Sequence, residues 1–124
     1  MPGLWKDERK ESMKKIFIAS PYALGDVCVN TKRQVDAAHE LMNLGFAPFA
    51  PIAVTHLQHL MHYRDRQAWL EYDIAWLRAC DGLLRLEGKS EGADAEVSYA
   101  LSIGLPVFYD IKDIKGYFKW KEEE

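Results

Sequence analysis

Residues 81–110 read DGLLRLEGKSEGADAEVSYALSIGLPVFYD, and this stretch decides the fold. The apolar run 82–86 predicts a buried strand, the polar segment 87–92 a loop, residues 93–103 a helix, and residues 106–109 a second strand. A strand, a helix and a further strand in this order are typical of a parallel sheet, which binds ligands at the carboxyl edge of its strands.

Glu96 falls in the predicted first turn of that helix, close to the carboxyl edge of the sheet. At 100° per residue, Glu96 lies on the shoulder of an apolar arc. The arc contains Ala93, Val97, Ala100, Leu101 and Gly104. We therefore expect Glu96 to border the core instead of pointing into open water.

The remaining pattern alternates in the same way. We predict strands at 15–20 and 46–49, helices at 31–44 (capped by Asn30 or Thr31), 66–79 and 113–120, and no assignment for 52–65. Pro48 lies near the end of residues 46–49 and Pro51 follows them, which suits an edge strand. The predicted fold class is α/β, a Rossmann-like or flavodoxin-like three-layer sandwich with four or five parallel strands. Residues 1–12 are predicted to be an N-terminal tail and residues 13–124 a single domain.

Composition excludes several classes of function. The 124 residues are 48% apolar and 28% charged with a net charge of −3, which argues against a nucleic-acid or membrane surface. Cys28 and Cys80 have no metal-type spacing, so we predict reduced thiols and a cytoplasmic protein. No apolar run approaches the roughly 20 residues that a membrane span requires.

Asp73 interrupts an apolar helix face. On a wheel drawn from Trp69, it lies near the middle of an arc that also holds Trp76, Leu77 and Cys80. Burying an unpaired carboxylate costs several kcal/mol, so Asp73 must be partnered, protonated or open to a polar cavity. A backbone amide or a neighbouring arginine would be an ordinary partner, whereas a second acid nearby would indicate a site.

Three histidines, His56, His59 and His62, invite a metal interpretation because residues three apart share a helix face. Catalytic zinc takes three protein ligands and an open position. His62 points elsewhere and no acid completes a known spacing. We therefore predict no metal.

Four motifs, in this order, resemble the nucleoside 2-deoxyribosyltransferase superfamily, in particular its small bacterial and phage members. They are IFIASPY at 16–22, Asp73 ahead of the strand entry at 81–82, Ser90-x-Gly92-x-x-x-Glu96, and GLPV at 104–107. The chain is also similar to the deoxynucleoside 5′-monophosphate N-glycosidases. The resemblance covers Lys15 to Asp110.

The resemblance implies catalytic roles for three residues. Glu96 corresponds to the nucleophile, Asp73 to the aspartate that helps protonate the departing base, and Tyr22 to a tyrosine near both the nucleophile and the substrate. Ordinary roles stay open for each. In these alternatives, Glu96 or equally Asp94 only complements the helix N-terminus, and Tyr22 is only an exposed loop residue.

We also predict substrate contacts at Ser20, Ser90, Gly92, His56 and Trp76. The transferases carry an acid at the position of Ser90, whereas the N-glycosidases carry a serine near the 5′-phosphate. Ser90 is also a normal helix N-cap. His56 lies where relatives have a loop over the substrate. Trp76, like Trp69, either stacks on the substrate or packs in the core.

The implied function is cleavage or transfer at the N-glycosidic bond of a nucleoside or nucleoside 5′-monophosphate. The implied partners are this small molecule and further copies of the chain, in a dimer or larger homo-oligomer. No cofactor and no nucleic-acid polymer is expected. A nucleotide-binding or sensor module without turnover is the alternative.

Overall fold

A computed structural model describes residues 13–123, in which strands and helices alternate. The elements are β1 (Lys15–Ala19), α1 (Val27–Asn43), β2 (Ala47–Phe49), α2 (Ile52–Met61), α3 (Arg66–Leu77), β3 (Gly82–Arg85), α4 (Glu91–Ser102), β4 (Val107–Phe108) and α5 (Lys112–Glu122). The predicted tail, residues 1–12, lies outside the described residues, so its boundary stays a prediction. None of the described helices combines the length and the apolarity that crossing a membrane requires.

The described strands form one parallel sheet in the order β2-β1-β3-β4. This confirms the α/β three-layer fold class and gives it four strands. The edge position of β2 is confirmed as well. Phe17, in the central strand β1, is paired with Phe49 on one side and Leu83 on the other.

Helices cover both faces of the sheet. One apolar cluster joins the sheet to α1 and α5 and contains Ile16, Ile18, Ala37, Leu41, Phe46, Leu84, Phe108, Ile114 and Phe118. The second joins it to α3 and α4 and contains Phe17, Ala19, Leu77, Cys80, Leu83, Ala93 and Ala100. Successive residues of a strand point to opposite faces of the sheet, so they pack into the two clusters alternately. Fully burying one of the larger side chains contributes about 1.5–3 kcal/mol.

Helix α1 begins earlier than the sequence pattern predicts. Asp26 is its N-cap and accepts hydrogen bonds from the backbone N–H groups of Cys28 (2.8 Å) and Val29 (3.1 Å). The prediction of Asn30 or Thr31 as the cap is therefore wrong. Asn30 is buried within the helix and donates to the carbonyl oxygens of Tyr22 (3.0 Å) and Leu24 (2.9 Å). It thus holds the loop that follows β1.

The unassigned segment 52–65 contains helix α2 and the connection to α3. Gln34, 1% exposed, anchors the start of α2 because its Oε1 accepts from the Ile52 N–H at 2.8 Å. Its Nε2 donates to the Ile18 carbonyl (3.1 Å) and to Ser20 Oγ (2.8 Å). One buried amide therefore joins β1, the loop after it and α2.

Candidate active site

A cavity of about 680 Å³ opens at the carboxyl ends of β1 and β3. Ile18 and Ser20 close it from the central strand, and Asp73 from α3 and Glu96 from α4 line its wall. Thr55 and other residues of α2 line the opposite side. This is the edge at which open α/β sheets bind ligands.

Asp73 and Glu96, far apart in sequence, lie together in this cavity with their carboxyl groups hydrogen-bonded to each other. Glu96 is 6% exposed. Burial, with the hydrogen bond and the charge of Asp73, raises the pKa of Glu96 to about 10, although the Arg85 charge opposes the shift. Burial also raises the pKa of Asp73. Two carboxyls so placed share one proton at neutral pH and titrate as a pair.

Glu96 lies in the second turn of α4, which corrects its predicted place in the first turn. The helix begins at Glu91 because the Ser90 hydroxyl accepts from the Ala93 N–H at 3.1 Å and so caps it. The first-turn acids are instead Glu91 and Asp94, and both are exposed. The helix N-terminus therefore does not stabilise the ionised form of Glu96. The charge of Arg85 stabilises that form instead.

Arg85 is 8% exposed and also organises the loop before α4. Its guanidinium donates to the carbonyl oxygens of Leu86 and Gly88 and to Asp94 Oδ1, the last at 3.0 Å. Gly88 has a φ of +123°, and a Cβ there would lie 2.8 Å from the Pro21 ring. The Arg85 contacts and the glycine together hold the β3–α4 loop against the β1 loop. The sequence offered one signal for this role, a single arginine within an apolar strand.

Tyr22 lines the cavity from the loop after β1, and its hydroxyl is hydrogen-bonded to His56 Nδ1 at 2.8 Å. Desolvation raises the pKa of Tyr22. His56, predicted to contact the substrate, is not among the cavity-lining residues and is hydrogen-bonded to Tyr22. His59 does line the cavity, and its ring makes an edge contact with Tyr22, with ring centroids 6.5 Å apart.

The remaining predicted substrate contacts divide into two groups. Ser20, Ser90 and Gly92 line the cavity. Because Ser20 Oγ accepts from Gln34, its own hydroxyl proton stays available for another acceptor. Trp76 is not among the lining residues, because it stacks on Phe49 with centroids 4.8 Å apart and is 46% exposed.

Trp69, not Trp76, is the tryptophan of α3 that lines the cavity. Its Nε1 is buried without a hydrogen-bond partner. Asp73 Oδ1 is also buried without one, apart from the contact between the carboxyls of Asp73 and Glu96. A buried unsatisfied donor costs about 1–3 kcal/mol. Arg66, an alternative partner for Asp73, is bonded to Glu91 at 2.6 Å. The raised pKa of Asp73 has burial as its cause, opposed by the hydrogen bond with Glu96, and no arginine contributes to it.

Three cationic side chains line the cavity, and two of them lie near Ser90: Lys89 precedes it in the chain and Arg66 pairs with Glu91. The third is Arg64. Gly92 leaves open space there, since a Cβ at this position would meet nothing within 4 Å. Within residues 13–123, no group of three or more histidine, cysteine or acidic side chains is arranged to hold a metal ion.

The Glu96 pKa gives a prediction for stability. Glu96 takes up a proton on folding between its ordinary pKa of 4.5 and about 10, so the free energy of unfolding falls as pH rises through this window. The limiting slope is about 1.4 kcal/mol per pH unit for one proton. Glu96→Gln removes the effect, so the variant should gain stability over the wild type increasingly from about pH 5 upward.

Denaturant unfolding of both proteins at acidic, neutral and alkaline pH measures this difference. A difference that stays constant with pH would contradict the buried, proton-sharing pair. Glu71→Gln is the matched control, because Glu71 is an exposed acid on α3.

Comparison with known proteins agrees with the fold. A solved structure of a 2-deoxyribosyltransferase from the psychrotolerant bacterium Bacillus psychrosaccharolyticus is similar to this chain, with a TM-score of 0.56 and 20% sequence identity over 78% of this chain and 75% of the other. The expected deoxyribosyltransferase-like fold is thereby confirmed. The sequence matches no curated protein. The family model of a domain of unknown function, DUF7768, matches residues 14–110, and the chain therefore belongs to the DUF7768 family.

Proposed function

We propose that this protein cleaves or transfers at the N-glycosidic bond of a nucleoside or nucleoside 5′-monophosphate. Glu96 is the nucleophile and Asp73 the acid. The observation that carries the proposal is the hydrogen-bonded pair of these two carboxyls in a cavity at the carboxyl edge of the sheet. A single shared proton gives the site both the carboxylate and the acid that the reaction needs.

In the first step, a Glu96 carboxylate oxygen bonds to C1′ while the bond from C1′ to the base nitrogen breaks. The electron pair of that bond goes to the base, which takes the shared proton from Asp73. This requires the proton to lie on Asp73 once substrate is bound, a redistribution that the direct contact between the carboxyls permits. In the second step, water or another base attacks C1′ while the bond from C1′ to the Glu96 oxygen breaks and its electron pair returns to the Glu96 carboxylate. The Asp73 carboxylate accepts the proton released from the attacking nucleophile.

The contact between the two acids favours a covalent route. Inverting glycosidases hold their carboxyls about 6.5–9.5 Å apart to leave room for water, whereas retaining enzymes hold them about 5–5.5 Å apart. Asp73 and Glu96 are hydrogen-bond partners, an arrangement nearer to that of the retaining enzymes than to that of the inverting ones. Tyr22 lies in the same cavity and is oriented by His56 for a hydrogen bond to the sugar or to Glu96.

The cations that line the cavity favour a 5′-monophosphate over a nucleoside. Arg64, Arg66 and Lys89 supply positive charge, Glu91 offsets part of it, and Ser90 lies beside the first amides of α4. A carboxylate in place of the Ser90 hydroxyl would repel phosphate. Ser20 and Gly92 complete the proposed contacts to the sugar and its 5′ substituent.

Ser90→Asp tests this preference. The substitution keeps an N-cap side chain but adds a negative charge, so KM for the monophosphate should rise about 100-fold while KM for the nucleoside changes little. Ser90→Asn is the matched control, since it caps equally well without charge. Equal effects of both variants on both substrates would contradict a phosphate near Ser90.

The proposed reaction itself is tested with a panel of deoxynucleosides and their 5′-monophosphates, using chromatography to detect free base. Release by the wild type and not by Glu96→Ala supports it, and added acceptor base distinguishes transfer from hydrolysis. Measurable nucleotide binding without release from any substrate would contradict it and favour a binding or sensor module.

A further inference from the structure

The Trp69 indole N–H is an unmet hydrogen-bond donor beside the proposed acid. Among residues 13–123, the only buried side-chain nitrogen or oxygen atoms without a partner are Trp69 Nε1 and Asp73 Oδ1. Both residues line the same cavity, and they are four apart on α3. Residues with this spacing are neighbours on one helix face, about 5–6 Å apart at Cβ, so both can contact a single planar ring.

The Trp69 ring packs against a neighbouring ring of the same helix. It meets Tyr72 edge to face, with centroids 5.7 Å apart, and it is partly buried. Buried polar groups in proteins are nearly always paired, so the unpaired N–H of a cavity-lining residue calls for an acceptor, which a bound ligand can supply. Trp76, on the same helix, stacks on Phe49 outside the cavity lining and provides a natural comparison.

We propose that Trp69 determines specificity for the leaving base, by donating a hydrogen bond to an acceptor next to the ring nitrogen that Asp73 protonates. This inference rests on the proposed function, in which Asp73 is a donor to the base. Two donors side by side fit an edge with two adjacent acceptors, such as N7 and O6 of a 6-oxopurine. A 6-aminopurine presents an amino donor to the indole N–H and is disfavoured.

Binding of free bases tests the contact without any turnover. We compare hypoxanthine, purine and adenine by calorimetry on the wild type, Trp69→Phe and Trp76→Phe. The wild type should bind hypoxanthine about 10-fold more tightly than purine, which lacks the 6-oxygen, and should bind adenine more weakly still. Trp69→Phe should reduce the hypoxanthine preference over purine to nearly one, and Trp76→Phe should leave it unchanged.

Equal weakening of all three bases in Trp69→Phe would show a packing role and overturn the proposal, as would tightest binding of adenine or no base binding at all. If Trp69→Phe does not fold, the order of the three bases on the wild type still decides. Selective base binding with no release from any nucleoside would refute the glycosidic reaction but retain the Trp69 contact. Base release whose preference among the bases is unchanged in Trp69→Phe would support the glycosidic reaction and refute the Trp69 contact.

Discussion

Glu96→Gln should reduce base release by about 10⁴-fold or more, because an amide cannot form the glycosyl ester that a carboxylate forms. The loss should fall on kcat, with the affinity for substrate largely kept. The same substitution is expected to stabilise the fold at neutral pH, since it removes a buried ionisable carboxyl. Lost activity together with raised stability would exclude unfolding as the cause.

The matched control for Glu96→Gln is Asp94→Asn. Asp94 is an acid on the same helix, but its side chain is 71% exposed and pairs with Arg85 at 3.0 Å. We expect this variant to keep most of the activity. If Asp94→Asn abolished base release and Glu96→Gln did not, the nucleophile would be assigned to the wrong acid of α4.

Asp73→Asn should slow base release by about 10²- to 10⁴-fold for ordinary bases, the range that general acid catalysis typically contributes. The loss should nearly disappear for a 7-methylpurine nucleoside, whose positively charged base leaves without being protonated. Steady-state rates on both substrates measure this contrast. Glu71→Gln, an exposed acid of α3, should leave both rates unchanged.

Equal losses by Asp73→Asn on the two kinds of substrate would contradict an acid role. That result would instead indicate that Asp73 only holds Glu96 in place, through the hydrogen bond between the two side chains.

The sequence predicted the sheet well because its strands are short apolar runs bounded by turn residues. The start of α1 was predicted wrongly for a physical reason. The buried face of this helix consists of Asn30, Gln34, Ala37 and Leu41, and half of these residues are polar. The apolar residues Val35 and Met42 have helical spacing, yet they are 48% and 61% exposed. Buried polar residues that bind backbone groups give no such signal.

For the candidate site, the sequence identified Asp73 and Glu96 as acids on apolar faces, and the structure places them in contact. Its predicted substrate contact was Trp76 and not Trp69, because residues seven apart share one side of a helix and the sequence does not show their height relative to the cavity. Only Trp69 lies level with the cavity. The role of Arg85 depends on the three-dimensional path of the loop before α4, which no local pattern encodes.

The central claim is that Glu96 forms a covalent bond to C1′ of the sugar. The most direct measurement is the intact mass of the protein after incubation with a 2′-fluoro-substituted nucleoside 5′-monophosphate, in which the fluorine slows breakdown of the glycosyl-enzyme, followed by peptide mapping. We predict a mass increase of one sugar phosphate, located on Glu96 and absent from Glu96→Gln. Base release without any adduct, or an adduct on another residue, would contradict the account.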